Sequence, residues 1–168
     1  MGQERVAIRR AETADVSKVE AVARAAWPVV YAGIIPDEVQ RRLLDHWYSP
    51  ESLSRALAAP GSSLFVAESR GAVIGFAQFV HRSAESAELT RIYVLPARQR
   101  GGIGTRLLEA GLAECAAERL KRLTVSVERD NRIGRDFYER SGFGEPREHS
   151  QDVGGFVLDL VEYRRLIS

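Results

Sequence analysis

The order of apolar and polar positions divides the chain into strands and helices. Val6 to Arg9 alternates and predicts a short first strand. Val16, Val19, Ala23 and Ala26 then recur at helical spacing, which predicts a helix capped by Thr13 or Asp15 and closed at Pro28. Ile34-Ile35-Pro36-Asp37 reads as a turn, and Pro36 suits the first turn of a second helix running to about Trp47. Ser49 caps a short helix from Pro50 to about Ala58, before Pro60-Gly61 breaks the chain. SLFVAES is a strand, Arg70-Gly71 a turn, AVIGFAQFVH a second strand, and Glu88 to Val94 a third beside it. Gly104 to about Arg119 is a long helix with Leu107, Leu108, Gly111, Leu112 and Cys115 facing inward. LTVSV is a short buried strand, and Asn131 to about Ser141 is a helix ended by Gly142. Phe156 to Val161 alternates again and predicts a last strand, paired with residues near His149.

Strands in sequence, then helix, strand, helix, strand, imply one mixed α/β (α+β) sheet with helices on both faces. The β–α–β unit around Gly101 to Val127 is expected to be right-handed and locally parallel. A length of 168 residues suits one domain over 1–168, enough to bury roughly 70% of the unfolded surface. The 24 basic and 23 acidic residues nearly cancel, so no general attraction to nucleic acid or an anionic membrane is expected. The single cysteine, Cys115, excludes an intrachain disulfide and a cysteine-based zinc cluster. His46, His81 and His149 are too scattered to suggest a metal, so none is expected. No apolar run approaches the roughly 20 residues that span a bilayer. MGQERVAIRR lacks a signal-peptide core, and Val6 stands where an acylation signal after Met-Gly wants Ser or Thr. A cytoplasmic location is the expectation.

The chemistry centres on RQRGGIGTRLLEAGLAE, Arg98 to Glu114, where a glycine-rich turn follows a strand and opens a helix. The first helical N–H groups lack intrahelical partners and carry partial positive charge, a seat for phosphate. A dinucleotide fingerprint would need a third glycine where Leu107 stands, and a Walker loop would need Lys then Ser or Thr. Two readings remain: a plain strand-to-helix turn, or the pyrophosphate loop of acyl-CoA-dependent N-acetyltransferases, matched at Gln99, Gly102 and Gly104. One helix and one strand further on, NRIGRDFYERSGF resembles the second signature of the GNAT superfamily of N-acetyltransferases. Asn131, Phe137, Tyr138, Gly142 and Phe143 carry that resemblance, while Gly134 replaces a frequent alanine. The two signatures span roughly Ala87 to Phe143.

The resemblance implies a GNAT fold: a mostly antiparallel sheet of six or seven strands with a central, splayed parallel pair. It implies acetyl-CoA as co-substrate, its pantetheine arm along Ile92, Tyr93 and Val94. The pyrophosphate would sit on Gln99, Arg100, Gly101, Gly102, Ile103, Gly104 and Thr105, with Asn131 and Tyr138 nearby. Arg98, Arg100 and Arg106 would add positive charge, or form a solvated rim. Tyr138 matches the general acid that protonates the departing thiolate, and Glu88 the glutamate base of the histone-type branch. Glu88 reads equally as a solvent-facing strand charge, and Tyr138 also as a tyrosine closing its helix on the sheet. Trp27 and Tyr31, four apart, line an acceptor pocket or belong to the core. The implied activity is direct acetyl transfer to a primary amine, either a small amine or amino-acid derivative or a protein N-terminal or lysine amine. The alternative is a non-catalytic acyl-CoA sensor with the same fold. A homodimer through the C-terminal strands is a further implication.

Overall fold

The computed structural model describes residues 4–168, so the Met-Gly start lies outside the described residues. Among the described residues, seven strands form one sheet: β1 (Val6–Arg10), β2 (Ser62–Ser69), β3 (Ala72–His81), β4 (Ser86–Val94), β5 (Arg122–Glu128), β6 (Gly144–Val153) and β7 (Phe156–Leu166). Their order is β1-β2-β3-β4-β5-β7-β6. Every neighbouring pair is antiparallel except β4 and β5. Helices α1 (Val16–Val30), α2 (Asp37–Trp47) and α3 (Pro50–Ala58) cover one face. Helices α4 (Ile103–Ala117) and α5 (Arg132–Arg140) cover the other.

Two features of β4 part the sheet. Gln78 pairs with Arg91 and Phe79 with Leu89, so Thr90 is an extra residue, a bulge that bends the strand. The parallel pairing with β5 runs from Ser86↔Arg122 to Leu89↔Val125 and stops there. Both strands continue, β4 to Val94 and β5 to Glu128, without each other. The sheet therefore opens at its centre.

Each face buries its own apolar cluster. Leu107 and Leu108 of α4 meet Phe79, Leu89, Leu123 and Val125. On the opposite face Val19, Val22 and Trp27 of α1 pack with Leu53, Val66 and Phe76. Each fully buried Leu, Val or Phe contributes about 1.5–3 kcal/mol. At Gly111 a Cβ atom would stand 2.0 Å from Cζ of Phe79, so only a glycine lets α4 lie this close to β3. The entry to α1 is held by Asp15, which is 2% exposed and accepts from the Glu12 backbone N–H at 2.7 Å and from Arg9 at 2.7 and 3.0 Å. The Arg9 guanidinium keeps the Asp15 carboxyl below the usual carboxylate range.

Pro28 does not close α1 as the sequence suggests; the helix runs through it to Val30. A proline this near a helix end forfeits one backbone bond, and the buried Trp27 and the Tyr31 N–H to Trp27 carbonyl bond (2.9 Å) hold the final turn. β6 is nearly all polar and exposed, yet pairs with β7 along most of its length through the Gly154-Gly155 turn. β7 itself extends to Leu166, beyond the expected Val161.

Candidate active site

The opening between β4 and β5 is the floor of a cleft of about 810 Å³. The edge of Thr90 to Val94 that turns toward β5 has no strand beside it, so its backbone groups are free to pair with an extended ligand. Ile92, Tyr93 and Val94 line the cleft. Thr90, Arg91, Ser126 and Val127 complete the two walls. No motif or periodicity singles those four out, because the strand parting that exposes them depends on register and bulge.

The glycine turn closes one end. Gly102 is the N-cap of α4 with φ +76°, in the left-handed region that favours glycine. The first N–H groups of α4 thus face the cleft, lined by Arg98, Gln99, Arg100, Gly102, Ile103, Gly104 and Thr105. Gly101 is exposed and outside that wall. Arg98 pairs with Glu4 at 3.0 Å while still lining the cleft. Arg106 turns away, donating to the Val6 carbonyl at 2.8 Å.

The two signature segments meet across the cleft. A Cβ at Gly104 would lie 3.5 Å from the Phe137 ring, so α5 sits directly against the start of α4. Asn131 caps α5, its Oδ1 accepting from Gly134 N–H at 3.0 Å. Gly134 makes room for this cap, since a Cβ there would stand 2.7 Å from Asn131 Nδ2. Tyr138 projects from α5 into the cleft wall and is 8% exposed. Burial holds its phenol far above the ordinary tyrosine value, so it stays protonated at any physiological pH.

On the opposite face, Tyr31 lines the cleft and its hydroxyl is 2.7 Å from that of Tyr93. Trp27 stands behind this pair instead of on the pocket wall, 3% exposed with its ring 4.7 Å from Tyr31. Arg91 lies 4.7 Å over the Tyr48 ring and donates to the Trp47 carbonyl at 2.9 Å. Glu88 lies before the strands part, outside the cleft, and accepts from Arg82 Nε at 2.6 Å. Cys115 is buried, its thiol raised to about 11 by desolvation, and does not line the cleft.

A splayed parallel pair, a left-handed glycine at a helix start and a phenol lining the cleft between them form a fold with many known counterparts. The model of the acetyltransferase (GNAT) family matches residues 20–143. The chain belongs to the GNAT family. Its relatives include a spermidine N(1)-acetyltransferase of Thermoplasma acidophilum, 31% identical over 166 residues, covering 92% of this chain and 96% of that protein. A mycothiol acetyltransferase of Streptomyces griseus is 32% identical over 107 residues, covering 63% of this chain and 31% of that protein. Among solved structures, the PaiA N-acetyltransferase of Thermoplasma acidophilum in complex with coenzyme A superposes with a TM-score of 0.81 at 24% identity, covering 96% of this chain and 99% of that one. A GCN5-related structure from Rhodopseudomonas palustris reaches 0.82 at 20% identity, covering 99% of this chain and 98% of that one. This GNAT chain is an acetyltransferase, and its fold supports acetyl-CoA as the co-substrate. No helix among the described residues is long and apolar enough to cross a membrane.

Proposed function

We propose that the protein transfers the acetyl group of acetyl-CoA directly to a primary amine bound on the Tyr31 side of the cleft. The observation that carries this reading is the Tyr138 phenol, buried, neutral and lining the cleft that opens between the two strands. The unpaired edge of β4 takes the extended pantetheine, and the N-terminus of α4 takes the pyrophosphate. Backbone N–H groups of that edge are free to polarise the thioester carbonyl. The neutral amine nitrogen attacks the carbonyl carbon, the C–S bond breaks, the Tyr138 hydroxyl protonates the departing sulfur, and the proton that nitrogen loses returns through water to the tyrosinate.

Direct transfer is favoured because the cleft offers no activated nucleophile among its described walls. Cys115 is remote and its thiol raised, and Ser126 touches His149 only at 3.4 Å, on the exposed side. Glu88 is tied to Arg82, so a proton would have to reach it through water. Spermidine, the acceptor named for one relative, is the first amine to try.

The test is a thiol-release assay over a panel of small amines and peptides, with acetyl-CoA hydrolysis subtracted. Intersecting initial-rate lines and no acetylated protein after incubation with labelled acetyl-CoA are expected. Parallel lines with a stable acetyl-enzyme would overturn direct transfer. Tight acetyl-CoA binding without turnover on any amine would instead favour a non-catalytic sensor.

A further inference from the structure

Arg91 lines the cleft, half-buried, on the part of β4 that has left β5. It stands two residues from Tyr93 beyond the Thr90 bulge, so both side chains point to the α1–α3 face, where Tyr31 meets Tyr93. Two contacts hold the guanidinium. It lies 4.7 Å over the Tyr48 ring, and Nη1 donates to the Trp47 carbonyl at 2.9 Å, at the end of α2. Among the described residues, Nε and Nη2 have no partner and no carboxylate pairs with Arg91. An arginine fixed in this way keeps N–H groups free in the fork geometry that grips a carboxylate with two bonds.

The rest of this side of the cleft is neutral: Val29, Val30 and Tyr31 from α1, Tyr93 from β4 and Ser126 from β5. Asp136, the one carboxylate among the described lining residues, stands on α5, which packs on the α4 face. Arg98 and Arg100 belong to the turn before α4, and Arg140 to the end of α5. Glu128, at the end of β5, lies outside the lining and accepts from the Asp130 N–H. The acceptor side therefore presents one charge, and it is positive. Resting on the transferase reading, we infer that the acceptor is a small amine that also carries a carboxylate, and that Arg91 receives that carboxylate. Arg91 is thus a specificity-determining residue. It favours an amino acid or its derivative over a polyamine, whose further ammonium groups would meet the guanidinium.

Conjugates in which the coenzyme A sulfur carries CH2–CO–NH–R reach both sides of the cleft without turnover. R is taken from glycine, β-alanine and γ-aminobutyrate, each as the acid and as its neutral amide, and from spermidine. At pH 7 the wild type is expected to bind the best acid about 10-fold more tightly than its amide or the spermidine conjugate. Arg91→Gln can still donate to the Trp47 carbonyl and should bring acid and amide within about 2-fold. Arg91→Lys keeps a cation and should retain a preference of about 3-fold. Coenzyme A itself should bind both variants within about 2-fold of wild type. Equal affinity for acid and amide at every length in the wild type, a preference kept in Arg91→Gln, or tighter binding of the spermidine conjugate would overturn the assignment. A Gly-Glu-amide conjugate bound more tightly than every free acid would overturn it in favour of a peptide terminus. The wild-type comparisons decide even where a variant fails to fold. Failure of the wild type to bind coenzyme A would instead sink the transferase reading.

Discussion

Replacing Tyr138 by Phe separates chemistry from architecture at this site. The phenyl ring stays, with its edge contacts to Phe137 (5.4 Å) and Phe143 (5.7 Å), so buried apolar area is conserved. The hydroxyl makes no hydrogen bond to another protein group among the described residues, so none is broken, and Tm should move by less than about 3 °C. What goes, in the proposed mechanism, is the proton for the leaving sulfur. General acids contribute about 10²–10⁴-fold. A thiol of pKa about 8.5 leaves tolerably as thiolate, which puts this loss at the low end, about 10²-fold in kcat or about 2.7 kcal/mol. Thiol release under saturating acetyl-CoA, with the best amine of the panel, reads kcat; fluorescence titration with coenzyme A should give a Kd within about 3-fold of wild type. A kcat within 3-fold of wild type, at unchanged Tm, would refute the role. A collapse in Tm would show that the hydroxyl holds structure instead.

Alkaline pH should melt the acceptor side first. Tyr31, Tyr48, Tyr93 and Tyr138 are all raised by burial. Their folded-state values exceed the unfolded value of about 10, so stability is complete below pH 10 and falls above it, by about 1.4 kcal/mol per pH unit for each phenol. Thermal melts at pH 8 to 11 check this, and a flat Tm above pH 10 would contradict it. Gly111→Ala forces a methyl into the Phe79 ring and should cost about 1–3 kcal/mol in urea unfolding, with no change expected if Phe79 simply rotates away. Gly102→Val puts a β-branched residue at φ +76° with nothing within 4 Å to clash, so the damage is strain alone. About 1–2 kcal/mol of it should weaken coenzyme A binding roughly 5- to 30-fold by calorimetry; equal affinity would show that the turn does not hold the pyrophosphate.

The fold is legible where a residue's environment follows from its neighbours in the chain. Ser49 caps α3, Arg70-Gly71 turns β2 into β3, and Gly142 follows α5, all from local chemistry. β6 escapes because GEPREHSQDV carries no apolar alternation; its pairing is dictated by β7 and the Gly154-Gly155 turn. Pro28 misleads because only the packing of Trp27 and Tyr31 shows that α1 tolerates it. In the site, motif spacing singles out Gln99 to Thr105 and Tyr138, which, Gly101 apart, line one cleft. It has no means of seeing that Arg82 holds Glu88 before the strands part. That is set by register and by the Thr90 bulge.

The parting of β4 from β5 has a consequence for the protein between turnovers. Strands normally lie about 4.8 Å apart with their backbone groups mutually satisfied. Here two edges, Thr90–Val94 and Ser126–Glu128, are left open in the middle of a sheet instead of at its rim. An unpaired edge is a template for any extended chain that reaches it. In the proposed binding mode coenzyme A would do more than carry an acetyl group: it would be the missing rung that covers this seam. The empty protein should be the aggregation-prone form, and its shelf life in solution should track its loading with coenzyme A.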